Sequence, residues 1–260
     1  AARPSVPEYA LADKASAAEF ASDLGLPRPE ILQAGVPFAA IRPGGGLVIK
    51  PAGASAGSRG VYLAFSETSL AALKDGAVMG SWAAFEERVA RDRAGGIVAE
   101  DRWNVERMEM DRADPSMPAR DLKFYCFFGE VGLVLEVVRL PEVRFCWWWP
   151  DGSLAETGKE TARRFDGRGF DPACLSRVAE ISCAIPAPFV RIDFLDAARG
   201  MVYGEFTPRP GNYHAFDDAT DQRLGVRFLK AENRLFSALM AGERFGAFQR
   251  RFGARIAAEV

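Results

Sequence analysis

Hydrophobic and polar positions are most regularly patterned in the middle of the chain. Three consecutive runs, LKFYCFF, VGLVLEVVR and EVRFCWWW, fill residues 121–149, with Gly129-Glu130 between the first two and Pro150-Asp151-Gly152 closing the third. Runs of β-branched and aromatic residues cut by turn residues predict strands, here an antiparallel meander. Two more such runs, FVRIDFLD (189–196) and MVYGEFT (201–207), are joined by a short turn at 197–200 and predict a hairpin. Nearer the N-terminus, LVIK (47–50) and VYLAF (61–65) predict another pair, connected by PAGASAGSRG, and 96–100 predicts one more strand. Helices are predicted after Asp13, where an alanine-rich run stops at Gly25, and over 67–75, 81–93, 172–184, 220–240 and 243–258. Antiparallel strands with helices segregated around them predict an α+β fold. The expected division is a short N-terminal segment (1–45), a small lobe (46–100) and a large lobe with the terminal helices (101–260).

Composition narrows the function. The 260 residues are 48% hydrophobic and 26% charged, which is enough for real cores and unlike a disordered chain. Against 35 Asp plus Glu stand 33 Lys plus Arg, so no long-range field gathers nucleic acid or anionic lipid, and a polyanion would need a local cluster. The single histidine, His214, excludes zinc sites built from two or three imidazoles and leaves a Ser-His-Asp triad only that residue. Cys126, Cys146, Cys174 and Cys183 form no C-x-x-C pair and sit in apolar or helical settings, which points to a reducing cytoplasm. The most apolar stretch, 125–138, is broken by Glu130 and Glu136 and is too short to span a bilayer, and no secretory signal is visible.

Two places carry candidate chemistry. The small-residue loop GASAGSRG (53–60) can present backbone N–H groups to a phosphate, with Lys50 and Arg59 adding charge, although it lacks the P-loop spacing and also reads as a plain surface hairpin. On the predicted hairpin, alternation puts Arg191 and Asp193 on one face and Glu205 and Thr207 on one face of the partner strand. An oxygen-only set of this kind suits Mg2+, and an Asp193–Arg191 or Asp193–Arg209 ion pair is the plainer alternative. Only six of the 33 basic residues are lysines, which sharpens the interest of Lys14, Lys50 and Lys123.

In this order and spacing the residues resemble the ATP-grasp superfamily, specifically its TupA-like (teichuronopeptide-biosynthesis-like) branch, from Asp13-Lys14 to about Gly225. The resemblance implies two α+β lobes with ATP held between antiparallel sheets. It implies that Lys14 and Lys50 meet the nucleotide and that Ser55, Gly57, Ser58, Arg59 and Gly60 cover the phosphates. Glu100, Asp101, Arg102 and Trp103 would hold adenine by backbone and carboxylate contacts, Asp121 the ribose, and Lys123 a phosphate. Mg2+ would take Asp193 and Glu205, with Thr207 standing where many such ligases carry Asn.

The activity implied is an ATP- and Mg2+-dependent carboxylate–amine ligase working through an acyl phosphate, with Arg191, Arg209 and Lys123 catalytic. Its partners would be a small carboxylate and a small amine, with a sugar acid or amino acid suggested by the branch's link to cell-surface polymers. Few residues precede the first helix, so the acceptor pocket is expected to be reduced or to borrow another chain, as in a homo-oligomer. A kinase acting on a hydroxyl and a nucleotide-binding scaffold without turnover are the alternatives. Smaller features have plain readings beside bolder ones. Trp147 to Trp149 offer a sugar platform or core, and His214 is a base or a surface residue. The last helix, with Phe245, Phe248, Phe252 and Ile256, packs on the domain or lies on a membrane.

Overall fold

The Asp13 carboxylate accepts a hydrogen bond from the Ser16 N–H at 2.9 Å and caps α1 (Lys14–Asp23), which buries Ala17, Phe20 and Ala21. The same device starts α2 (Trp82–Ala94) at Ser81. Two further helices are α3 (Cys174–Cys183) and α4 (Asp218–Met240), the latter capped by Asp217, and α5 (Gly246–Glu259) ends the chain. The computed structural model describes residues 6–53 and 58–259.

The first sheet contains β1 (Ile31–Val36), β2 (Leu47–Pro51), β3 (Tyr62–Ser66), β4 (Ser69–Ala72), β5 (Val78–Met79) and β6 (Trp103–Arg107), all antiparallel in the order β1-β6-β2-β3-β4-β5. Its own core joins Ile49, Tyr62, Leu70 and Trp103 to Phe85 and Val89 of α2. The second sheet contains β7 (Asp121–Cys126), β8 (Val131–Val138), β9 (Arg144–Trp148), β10 (Val190–Ala197) and β11 (Gly200–Thr207), in the antiparallel order β11-β10-β7-β8-β9. Val178 and Ile181 of α3 pack in its core, and Phe20 of α1 meets Phe206, Phe248 and Phe252.

Two sequence expectations are corrected. Residues 67–75 form no helix: Ser69–Ala72 pairs with β3 as a strand, because a hairpin partner and burial of Leu70, Ala71 and Ala72 override the helix preference of Leu and Ala. Residues 96–100 form no strand. The chain leaves α2 through Gly95 and Gly96, the latter at φ +71°, and the Ile97 N–H bonds back to Asp92 O before β6 begins at Trp103. Strand β1, which lacks alternation and exposes Ile31 and Leu32, went unread. The last helix takes its plain reading, since Phe245, Phe248 and Phe252 are buried; of Ile256 only the backbone is described. No helix among the described residues is long and apolar enough to cross a membrane.

Among the described residues, loops of the two sheets touch in at least two places. Arg139, just past β8, donates to Ser58 Oγ at the end of the small-residue loop at 2.9 Å. Gly76, between β4 and β5 at φ +70°, lies so close to Pro141 that an added Cβ would be 2.2 Å from its carbonyl oxygen.

Candidate active site

Register builds the site. Asp193 pairs across β7 with Lys123 and across β11 with Glu205, while Arg191 pairs with Thr207. Because side chains alternate, Asp121, Lys123, Arg191 and Asp193 share one face of the sheet. A bulge in β11 keeps the second strand in phase: the register shifts between Asp193 and Phe194, where Gly204 is the extra residue. A Cβ on Gly204 would stand 3.1 Å from Asp193 O, so glycine permits the close backbone approach.

Asp193 is 2% exposed and held by two cations. Lys123 Nζ lies 2.5 Å from Oδ2, and Arg191 reaches Oδ1 through Nε at 2.6 Å and Oδ2 through Nη2 at 2.7 Å. Burial alone would raise this carboxyl, but Lys123 and Arg191 outweigh it and hold the group below the usual carboxylate range. Arg191 Nη2 also donates to Thr207 Oγ1 at 2.9 Å and reaches Glu205 at 3.4 Å. Burial pushes the neighbouring Tyr125 phenol up to about 12, against the pull of Arg191. Asp121 receives Arg139 Nε at 2.6 Å and lies 3.7 Å from Lys123 Nζ; against the cost of burial, Arg139 and Lys123 keep it low. Arg139 thus links the carboxylate row to Ser58, which sits at φ +62°.

The remaining predicted residues fall into three groups. Lys50, on β2, is paired with Glu106 at 2.7 Å and is 37% exposed at its side chain, free enough to turn to a ligand. Arg59, exposed, and Gly60, buried, form the end of the loop, while Ser55 and Gly57 lie outside the described residues. Glu100 and Arg102 are exposed and 3.7 Å apart. Asp101 is spent on the Phe38 N–H, the Trp103 indole N–H and Arg93. Trp103 itself is wholly buried between Phe38 and Tyr62, so its ring is core and cannot stack on a base; only backbone contacts remain open to it. Two further predicted residues make no contact with the Asp193 cluster among the described residues. Lys14 is exposed on the first turn of α1 and makes no hydrogen bond or ion pair among the described residues. Arg209 is exposed and stacks on the Tyr9 ring at 5.1 Å rather than joining Asp193. Neither Trp147 nor Trp149 offers a free platform: Trp147 is buried and Arg223 covers the Trp149 ring at 3.7 Å. His214 is exposed beside Tyr213.

Sequence reasoning missed two cations. Arg139 closes the VGLVLEVVR run and reads there as a strand end, and its partners Asp121 and Ser58 are far away in sequence. Lys159 is 8% exposed, donates to the carbonyls of Gly211 at 3.1 Å and Asn212 at 2.7 Å, and lies over Phe216 at 4.6 Å. Burial pushes its ammonium down, Glu160 opposes, and the charge of nearby Arg191 adds to the depression. The scarcity of lysine that singled out Lys123 applies equally to Lys159.

The arrangement suits an anionic ligand with a hard cation. Asp193, Glu205 and Thr207 offer oxygen only, on facing strands, which fits Mg2+ in donor chemistry. No three His, Cys, Asp or Glu side chains gather around a metal position among the described residues, so the other ligands would have to be phosphate oxygens or water.

Two antiparallel sheets, one of which carries a buried row of Asp121, Lys123, Arg191 and Asp193, define an α+β architecture suited to an anionic ligand. The chain belongs to the TupA-like ATP-grasp family, whose model matches residues 3–229. No match was found among curated proteins. Solved structures similar to the chain include a D-alanine–D-alanine ligase from Bacillus anthracis, 11% identical, covering 94% of this chain and 69% of that one, with a TM-score of 0.48. They also include the D-cycloserine synthetase DcsG, 21% identical, covering 88% and 71%, with a TM-score of 0.44. A third is the ATP-grasp ligase PsnB complexed with minimal precursor, 12% identical, covering 87% and 61%, also with a TM-score of 0.44.

Proposed function

We propose that this protein is an ATP- and Mg2+-dependent ligase that activates a carboxylate as an acyl phosphate and passes it to an amine. The observation that carries the reading is the Lys123–Asp193–Arg191–Glu205 cluster, set by strand register in a chain of the ATP-grasp family. Mg2+, held by Asp193 and Glu205 with Thr207 beside them, would offset charge on the transferring phosphoryl group.

This chain's own residues do the rest. Lys50 and Lys123 neutralise the triphosphate, with Lys159 as a third cation, buried near Arg191. Arg191, planar and already bidentate on Asp193, orients the acceptor carboxylate beside the phosphoryl group. Ser58, tied to Arg139, offers its backbone N–H to the phosphates. The carboxylate oxygen attacks the terminal phosphorus and ADP leaves. The amine then attacks the acyl carbon, inorganic phosphate departs, and the amine proton is released.

The branch's association with cell-surface polymers makes amino acids and uronic acids the first carboxylates to screen. Given ATP, Mg2+ and its carboxylate, the protein should convert hydroxylamine into a hydroxamate with matching release of ADP and phosphate, because an acyl phosphate is intercepted by strong small nucleophiles. A stable phosphorylated product without phosphate release would replace this reading with a hydroxyl kinase. Nucleotide binding with no turnover across the panel would replace it with a scaffold.

A further inference from the structure

Helix α4 is amphipathic on two opposite sides. Its inner stripe, Thr220, Leu224 and Ala231, is buried against the molecule. Its outer stripe, Gln222, Val226, Leu229, Asn233, Phe236 and Met240, recurs at alternating intervals of four and three residues. Every member is exposed, Val226 at 47%, Leu229 at 60%, Phe236 at 63% and Met240 at 73%. A helix that packs on a globular core needs a broad apolar face, whereas a narrow seam with this 3.5-residue repeat is what two helices bury in a coiled coil.

We propose that the outer face of α4 is a dimer interface that takes the α4 of a second copy of this chain, parallel and in register. Two features select this occupant. Val226 falls at the a position and Leu229 at the d position, the combination that favours two parallel strands. Asn233 falls at the next a position, where a buried amide needs an amide at the same level, and a second α4 in register supplies one. The inference is independent of the reaction, since α4 contributes no residue to the Asp193 cluster.

Sedimentation of the full chain at micromolar concentration should show a dimer, and Leu229→Glu combined with Phe236→Glu should give a folded monomer by circular dichroism and sedimentation. If that pair also unfolds, Asn233→Lys at an exposed position is the substitute and should weaken dimerisation at least tenfold. Asn233→Cys should cross-link through residue 233 under mild oxidation, with peptide mapping to separate this bond from the free native cysteines. A wild-type monomer at every concentration, a dimer indifferent to these substitutions, or a dimer in which Cys at 233 never meets its mate would overturn the proposal. So would a monomer that instead sediments with phosphatidylcholine vesicles.

Discussion

Asp193 and Glu205 face each other on adjacent strands, yet their surroundings differ enough to give their substitutions different signatures. Asp193 is buried under Lys123 and Arg191, whereas the Glu205 side chain is 43% exposed. Asp193→Asn leaves two cations short of their counter-charge, and breaking a buried pair in this way costs about 3–5 kcal/mol. Glu205→Gln should cost less than about 0.5 kcal/mol, as ordinary surface changes do. Both should abolish turnover if both hold the metal, so urea unfolding read beside activity separates the two roles. A Glu205→Gln variant with full turnover would remove Glu205 from the site. The Asp193 carboxyl also makes stability depend on pH. Because its folded pKa lies below the unfolded value, its contribution is fully present above the ordinary carboxylate range and is lost as the pH falls through the folded value. The sequence made Arg191 and Asp193 legible because they are two apart on one strand. It hid Lys159 and Arg139, whose partners lie at Gly211, Asn212 and Ser58 and meet them only after the chain has folded.

At the scale of elements, local signals were readable and cross-chain ones were not. The cap at Asp13 and the runs of β-branched and aromatic residues in β7, β8, β10 and β11 are properties of a few adjacent residues, and those elements lie close to where the pattern puts them. β4 and β1 owe their existence to neighbours in the sheet, so nothing local announces them. The loop before α3 shows the same dependence. Glu136, wholly buried on β8, accepts hydrogen bonds from the Arg168 N–H at 3.1 Å, the Gly169 N–H at 2.9 Å and the Trp148 indole at 3.0 Å, and is paired with Arg120. A Cβ at Gly167 would fall 2.4 Å from the same carboxylate. One side chain therefore fastens a loop to the sheet and counters Arg120, which also holds Asp196 at 2.7 Å. Glu136→Ala should destabilise the protein by about 3–5 kcal/mol, through a stranded arginine and three unsatisfied donors. Hydrogen exchange should show the Arg168 and Gly169 amides losing protection first. Uniform loss across the whole sheet would contradict the fastening role.

On the scale of the molecule, two sheets with separate cores are joined by several contacts, one of which is a close backbone approach. Gly76 and Pro141 touch through main-chain atoms, and only a residue without a Cβ, tolerant of φ +70°, fits between them. Gly76→Ala is therefore a wedge that presses on Pro141, two residues from Arg139, and widens the aperture between the sheets. If ATP is gripped from both sides, its binding should register that change. Saturating Mg-ATP at a hundredfold excess over Kd stabilises a native protein by about 2.7 kcal/mol, and the wedge should shrink this increment at the same ligand concentration. It should raise KM for ATP more than it lowers kcat. An unchanged increment would mean that one sheet suffices to hold the nucleotide. The glycine is in this sense a built-in spacer, and graded side chains at position 76 would convert the distance between two sheets into a measurable series of affinities.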